Sequence, residues 1–190
     1  MIYTEKIQRA IRFSLKTHEV YQKQKRKGKD IPYIMHPLTV GLILARAGAS
    51  EDVIAAGILH DTIEDSIAEK KVTREMIAER FGDQVADLVV SVSEMRKDLS
   101  WEERKQEAFE HIATFSHDSL LVKSADLISN VTEIVDDYER GGKAYFAAFN
   151  APIDKLLGHY LRSITSIIDR WPANPLTEDL QKAARMLQSI

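Results

Sequence analysis

Six side chains of this 190-residue chain could do chemistry together: His36, His60, Asp61, Glu64, Asp65 and Asp126. Four of them, His36, His60, Asp61 and Asp126, mix imidazole and carboxylate donors. Such a set suits manganese, iron, cobalt, nickel or zinc better than calcium, and does not choose among them. Four protein ligands leave positions open on a six-coordinate ion for water and a substrate oxygen. An ion held that way lowers the pKa of the water and polarises a phosphoryl group. Glu64 lies four residues after His60, and Asp65 four after Asp61. On a continuing helix each shares a flank with its partner, one turn further on. Two carboxylates just beyond an ion can take a proton from an attacking water or give one to a leaving oxygen.

These groups need elements that bring them together. His60 and Asp61 are neighbours, and on a regular helix their side chains diverge by about 100°. A helix end or a distorted turn must converge them. Val53 to Leu59 is apolar nearly all round, so the helix that Ser50 caps, with Glu51 and Asp52 in its first turn, should be central and buried. His36-Pro37 opens a preceding helix over about 37–47, with Pro37 in its first turn and Gly48 as its stop. Asp126 interrupts an apolar helix expected over 118–135. One or two ligands from each of three helices is a workable way to build a site in a helical bundle.

Upstream of His36 runs a basic stretch, Lys23, Lys25, Arg26, Lys27 and Lys29, broken by Gly28 and closed by Asp30. As a charge run alone it reads as a solvated loop. Beside a candidate metal it is what a polyphosphate substrate needs. Before it, residues 4–22 read as an amphipathic helix capped by Thr4, with His18 on the apolar face as a core histidine. Further helices are expected over 73–80 and 83–92. After a polar linker at 94–100, Ser100 and Glu103 form a capping-box pattern that opens another to about 114. A long helix over roughly 143–169, divided at Pro152, and a last one over 177–187 complete an all-α reading. No strand pattern and no repeat is present.

Composition sets outer limits. The length suits one domain, 1–190. The absence of cysteine excludes disulfides and thiolate zinc sites. The first residues lack a signal-peptide apolar region, and no apolar run is long enough to span a bilayer. A cytoplasmic protein without a membrane partner is the expectation. A net charge of −3 argues against a general nucleic-acid coat. The oligomeric state is not readable, because the helices after 143 could pair within or between chains.

Arg26-Lys27-Gly28, Pro32-Tyr33-Ile34-Met35-His36-Pro37, Leu59-His60-Asp61-Thr62-Ile63-Glu64-Asp65, Phe81-Gly82 and Leu121-Val122-Lys123-Ser124-Ala125-Asp126 with Asn130 are spread over roughly residues 5 to 135. Together they resemble the HD-domain superfamily of metal-dependent phosphohydrolases. More narrowly, they resemble the hydrolase domain of the RelA/SpoT homologues and the single-domain small alarmone hydrolases. The resemblance implies a single HD-domain helical bundle, usually with Mn2+. It implies hydrolysis of the 3′-pyrophosphate of guanosine tetra- or pentaphosphate, releasing pyrophosphate. It makes His36, His60, Asp61 and Asp126 the metal ligands and Glu64 and Asp65 the acid–base pair. Arg26 and Lys27 approach phosphates or base, and Asn130 contacts the nucleotide. Leu127 stands where that family commonly has arginine, and Ser124 where it has leucine. Two other functions fit the same residues: an HD phosphatase acting on a nucleoside monophosphate or NADPH, and a non-catalytic module that senses a nucleotide.

Overall fold

The computed structural model describes residues 3–96, 98–149 and 151–190. Met1 and Ile2 of the expected leaderless N-terminus, and Lys97 of the 94–100 linker, lie outside the described residues. The described residues form helices and no strand; the one bridge pairs Lys25 with Pro32. The contacts fall into two compact units, one ending at Met95 and the other starting at Arg96.

In the first unit, α1 (Glu5–Leu15) starts where the Thr4 side chain accepts the Ile7 N–H. The expected helix to residue 22 changes character at Lys16. Lys16–Tyr21 is π-helical, which widens the turn and carries His18 inward. Lys23 follows at φ +52°, the one described non-glycine residue with positive φ. There the chain reverses into the basic loop, closed by Arg26 N–H to Ile31 O and Tyr33 N–H to Gln24 O.

Helix α2 (Met35–Arg46) begins two residues before the expected start, so His36 lies inside its first turn and Pro37 at its third position. Its end follows the sequence: Gly48, at φ +74°, lets Ala49 N–H return to Leu44 O. Helix α3 (Glu51–Leu59) is capped by Ser50, and every residue from Val53 to Leu59 is buried. It packs against α1, α2 and α6 (Asp83–Val92). The α2–α3 contact depends on missing side chains. A Cβ on Gly41 would stand 2.6 Å from Ile58 Cγ1, and one on Gly57 2.2 Å from Leu44 Cδ1. Close approach of these two helices is what brings His36 to His60. A single turn, α4 (Thr62–Asp65), follows α3, and α5 (Arg74–Phe81) runs into α6 through Gly82.

The second unit comprises α7 (Trp101–His111), α8 (His117–Gly141), α9 (Ile153–Arg170) and α10 (Thr177–Leu187). Both halves of the capping box at Ser100 and Glu103 are made. Helix α8 outruns its expected end at 135 by six residues and stops at the Gly141-Gly142 break. The long helix expected from 143 instead opens as a 3-10 segment, Gly142–Ala148, and α9 starts after Pro152. Proline lacks the N–H an interior position needs but suits a start. Helix α8 packs against α9 and α10, and Asn174 ties it down by donating to Ser124 Oγ.

Candidate metal centre

The end of α3 supplies the convergence that neighbouring ligands require. Leu59 is its last helical residue, His60 caps it, and Asp61 sits at φ −91°, ψ −5°, between helix and turn. With the helical register broken, Asp61 Oδ2 swings to 3.0 Å from His60 Nε2. It lies 3.7 Å from His36 Nε2. The two imidazole Nε2 atoms are 3.3 Å apart. Both histidines are buried, at 3 % and 4 % exposure.

The protonation of His60 follows from its other nitrogen. Nδ1 lies 2.8 Å from Gly57 O, which can only accept, so Nδ1 carries the hydrogen. Neutral His60 then offers a lone pair at Nε2, towards His36 and Asp61. A ring fixed through one nitrogen by a backbone carbonyl, with the other aimed at a carboxylate and a second imidazole, is the usual outer support of a metal ligand. The donors fit a divalent ion.

Tyr33 steadies this cluster, and sequence reasoning gave it no role. Its hydroxyl donates to Asp61 Oδ2 at 2.6 Å. Burial first, then the charges of Asp61 and Asp65, push the phenol pKa well up, so the group stays a donor. The ring rests on His18, with centroids 4.9 Å apart, and on His36, at 5.8 Å. An aromatic three residues before His36 was the available signal.

A second support runs through His18. Asp65 Oδ2 accepts from Gln24 Nε2 at 2.8 Å, which orients the amide. Gln24 Oε1 therefore faces His18 Nδ1, also at 2.8 Å, and His18 must donate there. His18 is fully buried, as expected of a core histidine, but only half satisfied: Nε2 has no hydrogen-bond partner among the described residues. Gln24 carries no pattern that marks it in the sequence.

Glu64 and Asp65 sit on α4, one turn past the cluster, and Asp65 N–H returns to Asp61 O at 2.8 Å. Glu64 accepts the Glu94 N–H at 2.9 Å. Burial, followed by the negative charges of Asp61 and Glu94, raises its pKa to about 7, although that hydrogen bond pulls the other way. A carboxyl poised there can hold or release a proton near neutrality. Glu94 lay unnoticed in a polar linker.

Arg26 places its guanidinium carbon 5.3 Å from the Tyr33 ring centroid, so the basic loop reaches this side of the unit. Lys27 is exposed on the same loop. In the second unit, buried Asp126 lies on α8, held by Lys123 Nζ at 2.8 Å and by Asn130 Nδ2 at 2.6 Å. Pairing with Lys123 is what an ordinary buried aspartate would show; the second bond puts Asn130 in the same cluster. Leu127 is core, at 1 % exposure, and Ser124 donates to Leu120 O. Among the described residues no helix is long and apolar enough to cross a membrane.

Comparison with known proteins places the chain in a family. A family model described as HD domain matches residues 10–146. A guanosine-3′,5′-bis(diphosphate) 3′-pyrophosphohydrolase of Aquifex aeolicus is 39 % identical over 131 residues, 68 % of this chain and 18 % of that protein. The enzyme of the same name, MESH1, from Xenopus tropicalis is 38 % identical over 119 residues, 61 % of this chain and 64 % of its own length. The match thus spans under two thirds of either relative. A solved structure from Listeria monocytogenes EGD-e superposes with a TM-score of 0.72 at 33 % identity, covering 81 % of this chain and 97 % of that one. The solved structure of a metazoan ortholog of SpoT that hydrolyzes ppGpp reaches a TM-score of 0.77 over 97 % of both chains. At 23 % identity it speaks for the fold.

Proposed function

The chain belongs to the HD domain family, and from that premise we propose that it is a metal-dependent hydrolase of (p)ppGpp, removing the 3′-pyrophosphate. The observation that carries this reading is the His36–His60–Asp61 cluster, with His60 locked by Gly57 O so that its Nε2 faces the other two donors. The pyrophosphohydrolase names borne by relatives at 38–39 % identity supply the substrate class.

In this reading His36, His60 and Asp61 hold the ion, Asp126 is the fourth ligand, and Mn2+ is the metal we infer. When bound, it supplies an activated water and polarises the phosphoryl oxygen. The chain's own residues do the rest. Tyr33 holds Asp61 through its hydroxyl, and Gln24 holds Asp65. Glu64, with its pKa near 7, takes the proton of the attacking water, and Asp65 stands beside it to serve the leaving oxygen. Arg26 and Lys27 bind the negative charge of the substrate from a loop that can adapt to it. Asn130 shares its amide between Asp126 and the nucleotide. We read residues 1–190 as one hydrolase domain, the helices after 143 completing it. A cysteine-free chain of net charge −3 suits a cytoplasmic enzyme that does not bind nucleic acid.

The test is product identification. Manganese-loaded protein is incubated with guanosine tetraphosphate and a panel of nucleotides that includes NADPH. Pyrophosphate from the tetraphosphate, well above all other turnover and lost in Asp61→Ala, is the expected result. Orthophosphate from another nucleotide, with the tetraphosphate untouched, overturns the substrate. Metal uptake without turnover of anything in the panel overturns the enzyme in favour of a sensor.

A further inference from the structure

A concavity in the first unit shares no lining residue with the histidine cluster. It has a volume of about 330 Å³, and its walls come from α1, the π-helical turn, the segment around residues 69–72, and α5. Phe13, Val72 and Met76 give it an apolar floor. Its rim carries Lys16, Lys70, Lys71 and Arg80 against one carboxylate, Glu69. That imbalance stands out in a chain whose net charge is −3.

Among the described residues these four cations have no ion-pair partner. Among the described residues no carboxylate comes within 4 Å of their nitrogens. They are held by other means. Lys16 and Lys70 place their ammonium groups over the ring of Tyr21, at 5.4 and 5.7 Å. The Arg80 guanidinium lies 5.5 Å over Phe13. Lys71 donates to Ile63 O at 2.9 Å. Aromatic faces attract cations weakly and do not neutralise them, so the like charges repel across the cavity. A solvated face spreads such charges apart. Here three separate segments converge them on one hollow, and a multiply charged anion is what relieves the repulsion. Two ammonium groups already cover the Tyr21 ring, so recognition runs through charge and not through stacking of a base.

We propose that the hollow bounded by Lys16, Lys70, Lys71 and Arg80 around Tyr21 is a second ligand site, which binds a compact oligophosphate, inorganic or esterified. This site does not depend on the proposed reaction. It adjoins the catalytic segment all the same: Lys71, on its rim, bonds the Ile63 carbonyl inside α4, the turn that carries Glu64 and Asp65.

The test is isothermal titration of metal-free protein with inorganic pyrophosphate at low salt, with orthophosphate and adenosine 5′-diphosphate as comparison probes. Stoichiometric binding of pyrophosphate and of the diphosphate ester, each at least tenfold tighter than orthophosphate, is expected, and weakening as salt rises. The exposed pair Lys16→Glu and Lys70→Glu should weaken it more than tenfold with the far-UV circular dichroism spectrum unchanged; the single Lys70→Ala should weaken it less. Arg26→Ala and Asp61→Ala should leave it unaltered. Loss in either of the last two variants, with the lysine variants unaffected, puts the anion at the metal centre and overturns the proposal. No binding of either diphosphate, or equal binding of orthophosphate, overturns it as well. If pyrophosphate binds and the ester does not, the esterified arm falls; the reverse removes the inorganic one.

Discussion

Glu64→Gln should make the metal-free protein more stable at pH 8 and leave it nearly unchanged at pH 5. The Glu64 pKa is raised from 4.5 to about 7 by burial and by the charges of Asp61 and Glu94. Between those two values the folded chain binds more protons than the unfolded one, so its stability falls as pH rises through that window. Above pH 7 the full penalty is present. That rise in pKa corresponds to about 3 kcal/mol, and the part of the side chain that water reaches trims this to about 2 kcal/mol. Glutamine keeps the shape and an oxygen to accept the Glu94 N–H, so the substitution removes the charge with little else. Urea unfolding in a chelator is the assay, because a nearby cation would draw the carboxyl back down. Far-UV circular dichroism should be the signal, because both tryptophans, Trp101 and Trp171, lie outside the unit that holds Glu64. The same variant should retain metal and lose turnover. A loss of stability at pH 8, or an equal gain at both pH values, would refute the claim that Glu64 is held ionised at a cost.

Tyr33→Phe removes the donor to Asp61 Oδ2. Metal affinity should fall ~10–100-fold, measured by competition with a chelating dye, while the rings against His18 and His36 keep the fold. Gln24→Leu frees Asp65 without touching a proposed ligand. Its kcat should drop with metal content and KM unchanged, and an equal fall in metal content would sink the positioning role. Gly57→Ala drives a Cβ to 2.2 Å from Leu44 Cδ1. A destabilisation of about 1–3 kcal/mol is expected from the overpacking. Metal affinity should weaken in parallel, since Gly57 also supplies the carbonyl that orients His60; urea unfolding and metal titration check the two effects.

Much of this arrangement was legible because its signals are local. Ser50, Thr73 and Ser100 cap helices where their side chains precede apolar or acidic turns, and each does so through its own oxygen. The run from Val53 to Leu59 reads as part of a buried helix, and it is. His60 and Asp61 had to converge at a break, and α3 ends between Leu59 and Asp61. What stayed hidden depends on contacts distant in sequence or on backbone strain. The π-helical turn at Lys16–Tyr21 keeps the apolar spacing of an ordinary helix, so periodicity cannot mark it. Gln24 meets Asp65 across 41 positions, and Glu94 meets Glu64 across 30. The 3-10 segment after Gly142 replaced a predicted helix because two glycines and Pro152 leave little chain between them that favours an α-helix.

A divalent ion should stabilise the fold, and more strongly as pH rises. Asp61, Asp65 and Glu94 lie near enough to Glu64 that their charges, after burial, add to the rise of its pKa. The proposed ligand atoms offer lone pairs: Nε2 of His60, Nε2 of His36, and the carboxylate of Asp61. Protons compete for those same lone pairs, so acid opposes the ion twice, by protonating imidazole and by neutralising the surrounding carboxylates. At a free metal concentration ~100 times Kd, linkage gives about 2.7 kcal/mol. Thermal unfolding with and without manganese should therefore show a clear rise in Tm at pH 8 and a smaller one at pH 6. Asp61→Ala should abolish the difference at both. A rise that is the same at both pH values, or one that survives in Asp61→Ala, would locate the ion on some exposed cluster of acids, because only a site built on these titrating lone pairs couples metal to pH in this sense.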